Sequence, residues 1–220
     1  MNALGSLLKH SNILQRKTIL RDKFGVIRMN LDFLSAVSTK SRSNLVAIQD
    51  ICETIILVCR TGQKYIEKSL SLEILTRLDQ LLDTQQDREV ECAGHCLCAI
   101  VLESGPTIIP AILPRIMPRL LKLLDTSHVS LLLYTLNSIQ RCVHVANIVA
   151  EAGSIIEYFS IDVCCTLRDR SSLLACYPNA EVGDVAAVLE DSIEKFIARL
   201  ELHGTQFDVF SSARIRGGYA

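Results

Sequence analysis

Two stretches of this chain match at a single offset. "LTRLDQLLDTQQDREV" (75–90) and "MPRLLKLLDTSHVSLL" (117–132) lie 42 residues apart, which sets Leu78 on Leu120, Leu81 on Leu123, Leu82 on Leu124, Asp83 on Asp125 and Thr84 on Thr126. A period of this length is that of stacked helical units, each too small to bury its apolar face alone and each gaining a core from its neighbours. The offset carries on through Val90, Ala93, Leu97 and Ile100, which fall on Leu132, Thr135, Ile139 and Cys142 and, one period back, on Ile48, Ile51, Ile55 and Val58. Every set is spaced by three and four, the mark of a helix with one buried face. A longer echo joins "KFGVIRMNLDFL" (23–34) to "EAGSIIEYFSID" (151–162), with Gly25 and Gly153 close to three periods apart, so the repeats begin near residue 25.

Within one period the pattern predicts a short helix, a second helix ending near "LLDT", a polar turn and a longer third helix. Pro118 is placed to open the second helix, where a missing N–H costs nothing, while Pro110 and Pro114 keep the segment before it short or broken. Asp83-Thr84 and Asp125-Thr126 supply turn and cap chemistry ahead of the third helices, and Gly62 and Gly105 supply stops after them.

"MPRLLKLLD" (117–125), an apolar residue and proline followed by leucine pairs, and the junction "VAEAGSII" (149–156) together resemble the armadillo repeat over roughly residues 25–200. The resemblance implies an all-α fold, a right-handed α-α superhelix or armadillo-like solenoid of about four repeats of roughly 42 residues. The implied organisation is one domain over 1–204: a basic N-terminal capping helix (1–24), repeats over 25–64, 65–106 and 107–151, and a fourth repeat or C-terminal cap (152–204). A flexible tail (205–220) follows. The HEAT family, with two helices per repeat, stays open for the outer repeats.

Apolar residues make up 49% of the chain, enough to fill a core, and the net charge of −1 gives no reason to expect non-specific attraction to nucleic acid or to an acidic membrane. No apolar run reaches the length of a membrane span. The nine cysteines form no evenly spaced framework and follow no signal-peptide pattern, which points to a reduced, cytoplasmic protein, with nuclear or cytoskeletal association open. Charge is unevenly spread. Residues 1–30 carry six Lys or Arg against Asp22, and residues 181–202 carry six acids against Lys195 and Arg199, so head-to-tail self-association through these ends is one expectation, beside simple solvation of both helix faces. The last helix is placed at about 181–202, with Val182, Val185, Leu189, Ile193, Phe196 and Leu200 on its apolar face.

Cys92, His95, Cys96 and Cys98 fall on one third helix. The first three share a face, but structural zinc draws four ligands, usually from a loop as well as a helix, and the positions 42 residues on (Tyr134, Asn137, Ser138) supply none. Small, buriable cysteines in a packed solenoid are the simpler reading, with no metal and no cofactor. There is no glycine-rich phosphate loop, no His-Glu-x-x-His and no Gly-x-Ser-x-Gly, so no catalytic residue is assigned and a non-enzymatic role is expected.

In armadillo proteins the third helices line the concave surface, and counting away from the apolar stripe gives the candidate groove residues. They are Asp50, Glu53 and Thr54; Cys92, His95 and Cys96; and Tyr134, Asn137, Ser138 and Arg141. The columns Glu53–His95–Asn137 and Thr54–Cys96–Ser138 recur once per period. Nuclear-import members of the family carry repeated Trp and Asn on this face, whereas this chain has no Trp and only Asn137 in the Asn role. Its mixed charge also differs from the basic groove of catenin-like members. The expected function is therefore a protein-protein interaction scaffold holding an extended partner segment along the third-helix face, with no specific nucleic acid and no membrane. The alternative is a structural subunit of a cytoskeletal or ciliary assembly acting through its ends.

Overall fold

The computed structural model describes residues 45–62, 68–83, 86–151 and 159–216. All regular structure among them is helical: α1 (Leu45–Gly62), α2 (Lys68–Leu82), α3 (Asp87–Glu103), α4 (Ile109–Leu123), α5 (Val129–Glu151), α6 (Ile161–Ala175) and α7 (Ala180–Arg216). The expected capping helix, the opening of the first repeat and the Gly25–Gly153 echo lie outside the described residues. Contacts divide the chain into two compact units, Met1–Val145 and Ala146–Ala220, with the boundary inside α5. The sequence reading had drawn one domain over 1–204.

In the first unit the 42-residue period is visible as geometry. α1, α3 and α5 start at 45, 87 and 129, and α2 and α4 are each 15 residues long. α1 packs on α3, α2 packs on both α3 and α4, and α3 reaches α4. α3 also lies against α5, where Gly94 faces Leu131 and the Ser138 hydroxyl reaches the Cys98 carbonyl at 3.5 Å. The shared apolar stripe forms this core. Ile48, Ile51, Ile55, Ala93, Leu97, Ile100, Leu132, Thr135, Ile139 and Cys142 are buried, and Val90 is half-buried. From the other side α2 contributes Ile74, Leu75, Leu78, Leu81 and Leu82, and α4 contributes Ile112, Leu113, Ile116, Met117 and Leu120.

The expected short first helix is absent between α3 and α4, where residues 104–108 form only a turn. Nor do the prolines break the following segment. Pro110, Pro114 and Pro118 all lie within one continuous α4. Pro110 occupies the first turn, where no intrahelical donor is needed. Pro114 and Pro118 each remove an i→i−4 bond, but the three prolines are spaced by four residues, and Pro114 and Pro118 are exposed. The carbonyls they strand therefore sit on the wet side of the helix, and the apolar side stays intact. The caps also differ: Gln86 caps α3 without a side-chain bond, and before α5 the Thr126 hydroxyl accepts the His128 N–H at 3.3 Å.

On the outer seam between α2 and α4, cations from one period meet carboxylates of the other. Arg115 bonds Asp79 at 2.8 Å and Thr76 at 2.9 Å, and Arg119 bridges Asp79 (3.1 Å) and Asp83 (2.8 Å through Nη2). The guanidinium of Arg119 holds the Asp83 carboxyl below its ordinary value, with a smaller contribution from Lys122. A carboxyl depressed in the folded state stabilises the fold above its unfolded pKa, and that contribution disappears as pH falls through the lowered folded value. Asp83 is solvated, so the effect is small. A double-mutant cycle of Asp83→Ala and Arg119→Ala is expected to give a coupling of about 0.5 to 1 kcal/mol at neutral pH, vanishing in acid. Equal coupling at both pH values would remove the pair from the stability account.

The second unit is a helical hairpin in which α6 packs on α7. Ser160 caps α6 by accepting the Val163 N–H at 3.4 Å, and Asn179 accepts the Val182 N–H at 3.2 Å where α7 starts. Gly183 permits a close approach there, since a Cβ would come within 3.0 Å of the Ala175 carbonyl oxygen. Val182, Leu189, Ile193, Phe196 and Leu200 are buried as the periodicity required. Val185 is only half-buried, and Ala186 takes the inward place beside it. Phe196 meets Phe159 edge to face, ring centres 5.6 Å apart. Arg199 reaches back to the Asn147 side chain at 3.1 Å. α7 does not end near 202 but continues to Arg216, into the segment assigned to the tail. No helix among the described residues is long and apolar enough to cross a membrane.

Candidate functional site: a cleft on the third-helix face

α3 has neighbours on three sides: α1, α5 and the α2/α4 pair. That leaves it a narrower free face than an isolated amphipathic helix would have. Of the ten groove candidates, Asp50, Glu53 and Asn137 are exposed, and Cys92, His95, Tyr134 and Arg141 are half-buried. The column Thr54–Cys96–Ser138 is fully buried, which corrects its assignment to an open face. Cys96 sits in the seam between α1 and α3, and Ser138 in the seam between α3 and α5. The Cys96 thiol donates to the Cys52 carbonyl at 3.2 Å, and Thr54 and Ser138 each bond the carbonyl four residues back at 2.7 Å.

Four of the ten candidates, Glu53, Cys92, His95 and Tyr134, meet in one cleft of about 550 Å³ formed across α1, α3 and α5. It also takes in Gln49, Cys52 and Ile56 from α1, Arg88 and Glu91 from α3, and His128 just before α5. The sequence reading missed these six. Gln49 and Glu91 are themselves 42 apart, so the same ladder logic taken one step towards the N-terminus finds them. Asp50, Asn137 and Arg141 lie on the same helices but do not line the cleft.

One wall is aromatic. The His95 and Tyr134 rings pack edge to face at 5.1 Å, and His95 Nε2 is 3.3 Å from the Ser130 hydroxyl, which fixes the imidazole across the α3–α5 seam. Glu53 accepts the Gln49 amide at 3.1 Å, and His128 Nδ1 approaches Glu91 at 3.7 Å. Cys52 and Ile56 bring apolar surface to the same space.

The thiols here are not poised for nucleophilic chemistry. Burial, with Cys52 and the carboxylates of Glu91, Glu53 and Glu89 adding to it, pushes Cys92 up to about 11. Burial likewise raises Cys98 to about 11 and Cys142 to about 12, and in the second unit Cys164 to about 12. A reactive cysteine needs the opposite, a cationic neighbour that stabilises thiolate. The expected Cys92–His95–Cys96 face is split, because Cys92 and His95 line the cleft and Cys96 points into the α1–α3 seam. Cys98 turns towards Thr135, 3.8 Å away. Among the described residues no three His, Cys, Asp or Glu are grouped so as to hold a metal ion.

No family model and no curated protein matches the chain. Among solved structures, two engineered proteins from the Northeast Structural Genomics Consortium superpose with a TM-score of 0.35 at 13% and 12% identity, over 89% of this chain and 98% and 100% of theirs.

Proposed function

We propose that the chain is a non-enzymatic binding scaffold, a small armadillo-like solenoid of about four repeats that holds an extended segment of a partner protein along its third-helix face. The observation that carries this reading is the cleft itself, assembled from positions that recur at the 42-residue period, Gln49 with Glu91, Glu53 with His95, and Cys92 with Tyr134. Packed helices lie roughly 10 Å apart and an extended chain advances about 3.3 Å per residue, so each period presents one contact point to about every third residue of a partner. The helix starts at 45, 87 and 129 support the solenoid part of the proposal.

Affinity capture tests it, comparing the natural sequence with a Glu53→Arg, Tyr134→Ala double variant and with Lys122→Glu on the second-helix side, after circular dichroism has shown equal helicity. The expected result is a partner lost from the double variant and retained by Lys122→Glu. Retention by all three chains would move the function to the ends of the molecule, as in a structural subunit of a larger assembly.

A further inference from the structure

Accepting the binding-scaffold reading, the shape and charge of the cleft narrow what it can hold. Its floor is apolar, from Cys52 and Ile56. One wall is the His95–Tyr134 ring pair, and carboxylates stand on both flanking helices, Glu53 on α1 and Glu91 on α3. Burial first, and then Cys52 and these same carboxylates, keep the Cys92 thiol between them uncharged. An acidic guest would meet two carboxylates in a partly dehydrated space. A purely apolar guest would take water from those carboxylates and leave Glu53 only the Gln49 amide and Glu91 only the His128 ring, which is costly.

We infer that the cleft receives one basic side chain, lysine or arginine, of the bound segment, with its methylene stem on Cys52 and Ile56 and its cation against Glu53 and Glu91 beside the Tyr134 ring. Long basic side chains satisfy both demands at once, since the stem buries as a hydrocarbon while the head keeps polar or aromatic partners. Arg88 is exposed on the same rim, and His128 approaches Glu91 there at 3.7 Å. A cation on the same rim repels the guest's own, so removing Arg88 is expected to strengthen binding.

The test uses four pools of short capped peptides, random except for a fixed central lysine, arginine, norleucine or glutamate, offered to the immobilised full chain. The expected result is retention of the lysine and arginine pools over norleucine by about tenfold, the scale of one charge-assisted contact, with glutamate weakest. Glu53→Gln, Glu91→Gln should erase that preference while leaving helicity unchanged, and Arg88→Ala should increase it. Norleucine held as well as lysine, with both lost on Tyr134→Ala, would overturn the cation assignment and leave the scaffold reading standing. Retention of no pool would overturn both.

Discussion

Truncating Phe196 to alanine is expected to cost about 4 kcal/mol, the largest loss of any single substitution considered for this chain. Phe196 is 1% exposed and meets Phe159, also 1% exposed, with an interplanar angle of 83°. The second unit holds α6, α7 and the end of α5, and its buried residues are otherwise mostly small or aliphatic, among them Ala146, Ala150, Cys164, Leu167, Val182, Ala186, Leu189 and Ile193. Removing one ring deprives the other of its partner and opens a void that so small a unit has little surrounding mass to fill. Phe196→Leu keeps much of the volume and should cost about 1.5 kcal/mol or less. Urea denaturation followed by hydrogen exchange checks this, with the loss of protection falling on α6 and α7. Equal stability of the alanine variant and the natural sequence would show that the ring pair does not hold the hairpin.

Gly94→Leu is expected to cost about 3 kcal/mol. Gly94 lies in the middle of α3, where glycine is a poor helix former, and alanine there would gain roughly 1 kcal/mol of propensity. The neighbours explain its presence. A Cβ would stand 2.9 Å from Leu131 Cδ1, 3.1 Å from Leu131 Cδ2 and 3.3 Å from Leu123 Cδ1. For alanine the obstacle is the end of a flexible side chain, so the small clash and the propensity gain roughly cancel. Leucine must displace Leu131, fully buried at 0% exposure, and with it the approach of α5 to α3. That approach also frames the cleft, because His95 and Tyr134 meet across the same seam. Thermal melts of the two variants separate the effects: alanine near the natural value, leucine well below it.

The sequence disclosed what depends on period and polarity, and it failed where small polar groups are concerned. The stripe from Ile48 to Cys142 and the inner face of α7 were legible because a large aliphatic side chain at helical spacing has one favourable place to go. Thr54, Cys96 and Ser138 were misread as open because the whole face opposite the apolar stripe was taken to be free, whereas neighbouring helices close over Cys96 and Ser138. Thr and Ser side chains on a helix satisfy their hydroxyls on their own preceding turn, as Thr54 does on Asp50, Thr135 on Leu131 and Ser138 on Tyr134. Once satisfied they are cheap to bury, and their small size suits a seam between helices. The prolines of α4 misled in the same way. Each is a breaker taken alone, yet their spacing of four collects the damage on the solvated side. Four of the ten cleft residues, Glu53, Cys92, His95 and Tyr134, were legible as a ladder. Gln49, Cys52, Ile56, Arg88, Glu91 and His128 entered only when the free face of α3 proved narrow and shifted towards its N-terminal end.

The central claim of the proposal is that a partner binds in the cleft formed by α1, α3 and the start of α5. Hydrogen–deuterium exchange of the full chain, alone and saturated with a retained basic peptide, tests it most directly. The account predicts new protection in α1 around Gln49–Ile56, in α3 around Arg88–His95 and at the start of α5, with α2, α4 and α6 unchanged. Protection confined to α2 and α4, or to the second unit, would contradict it.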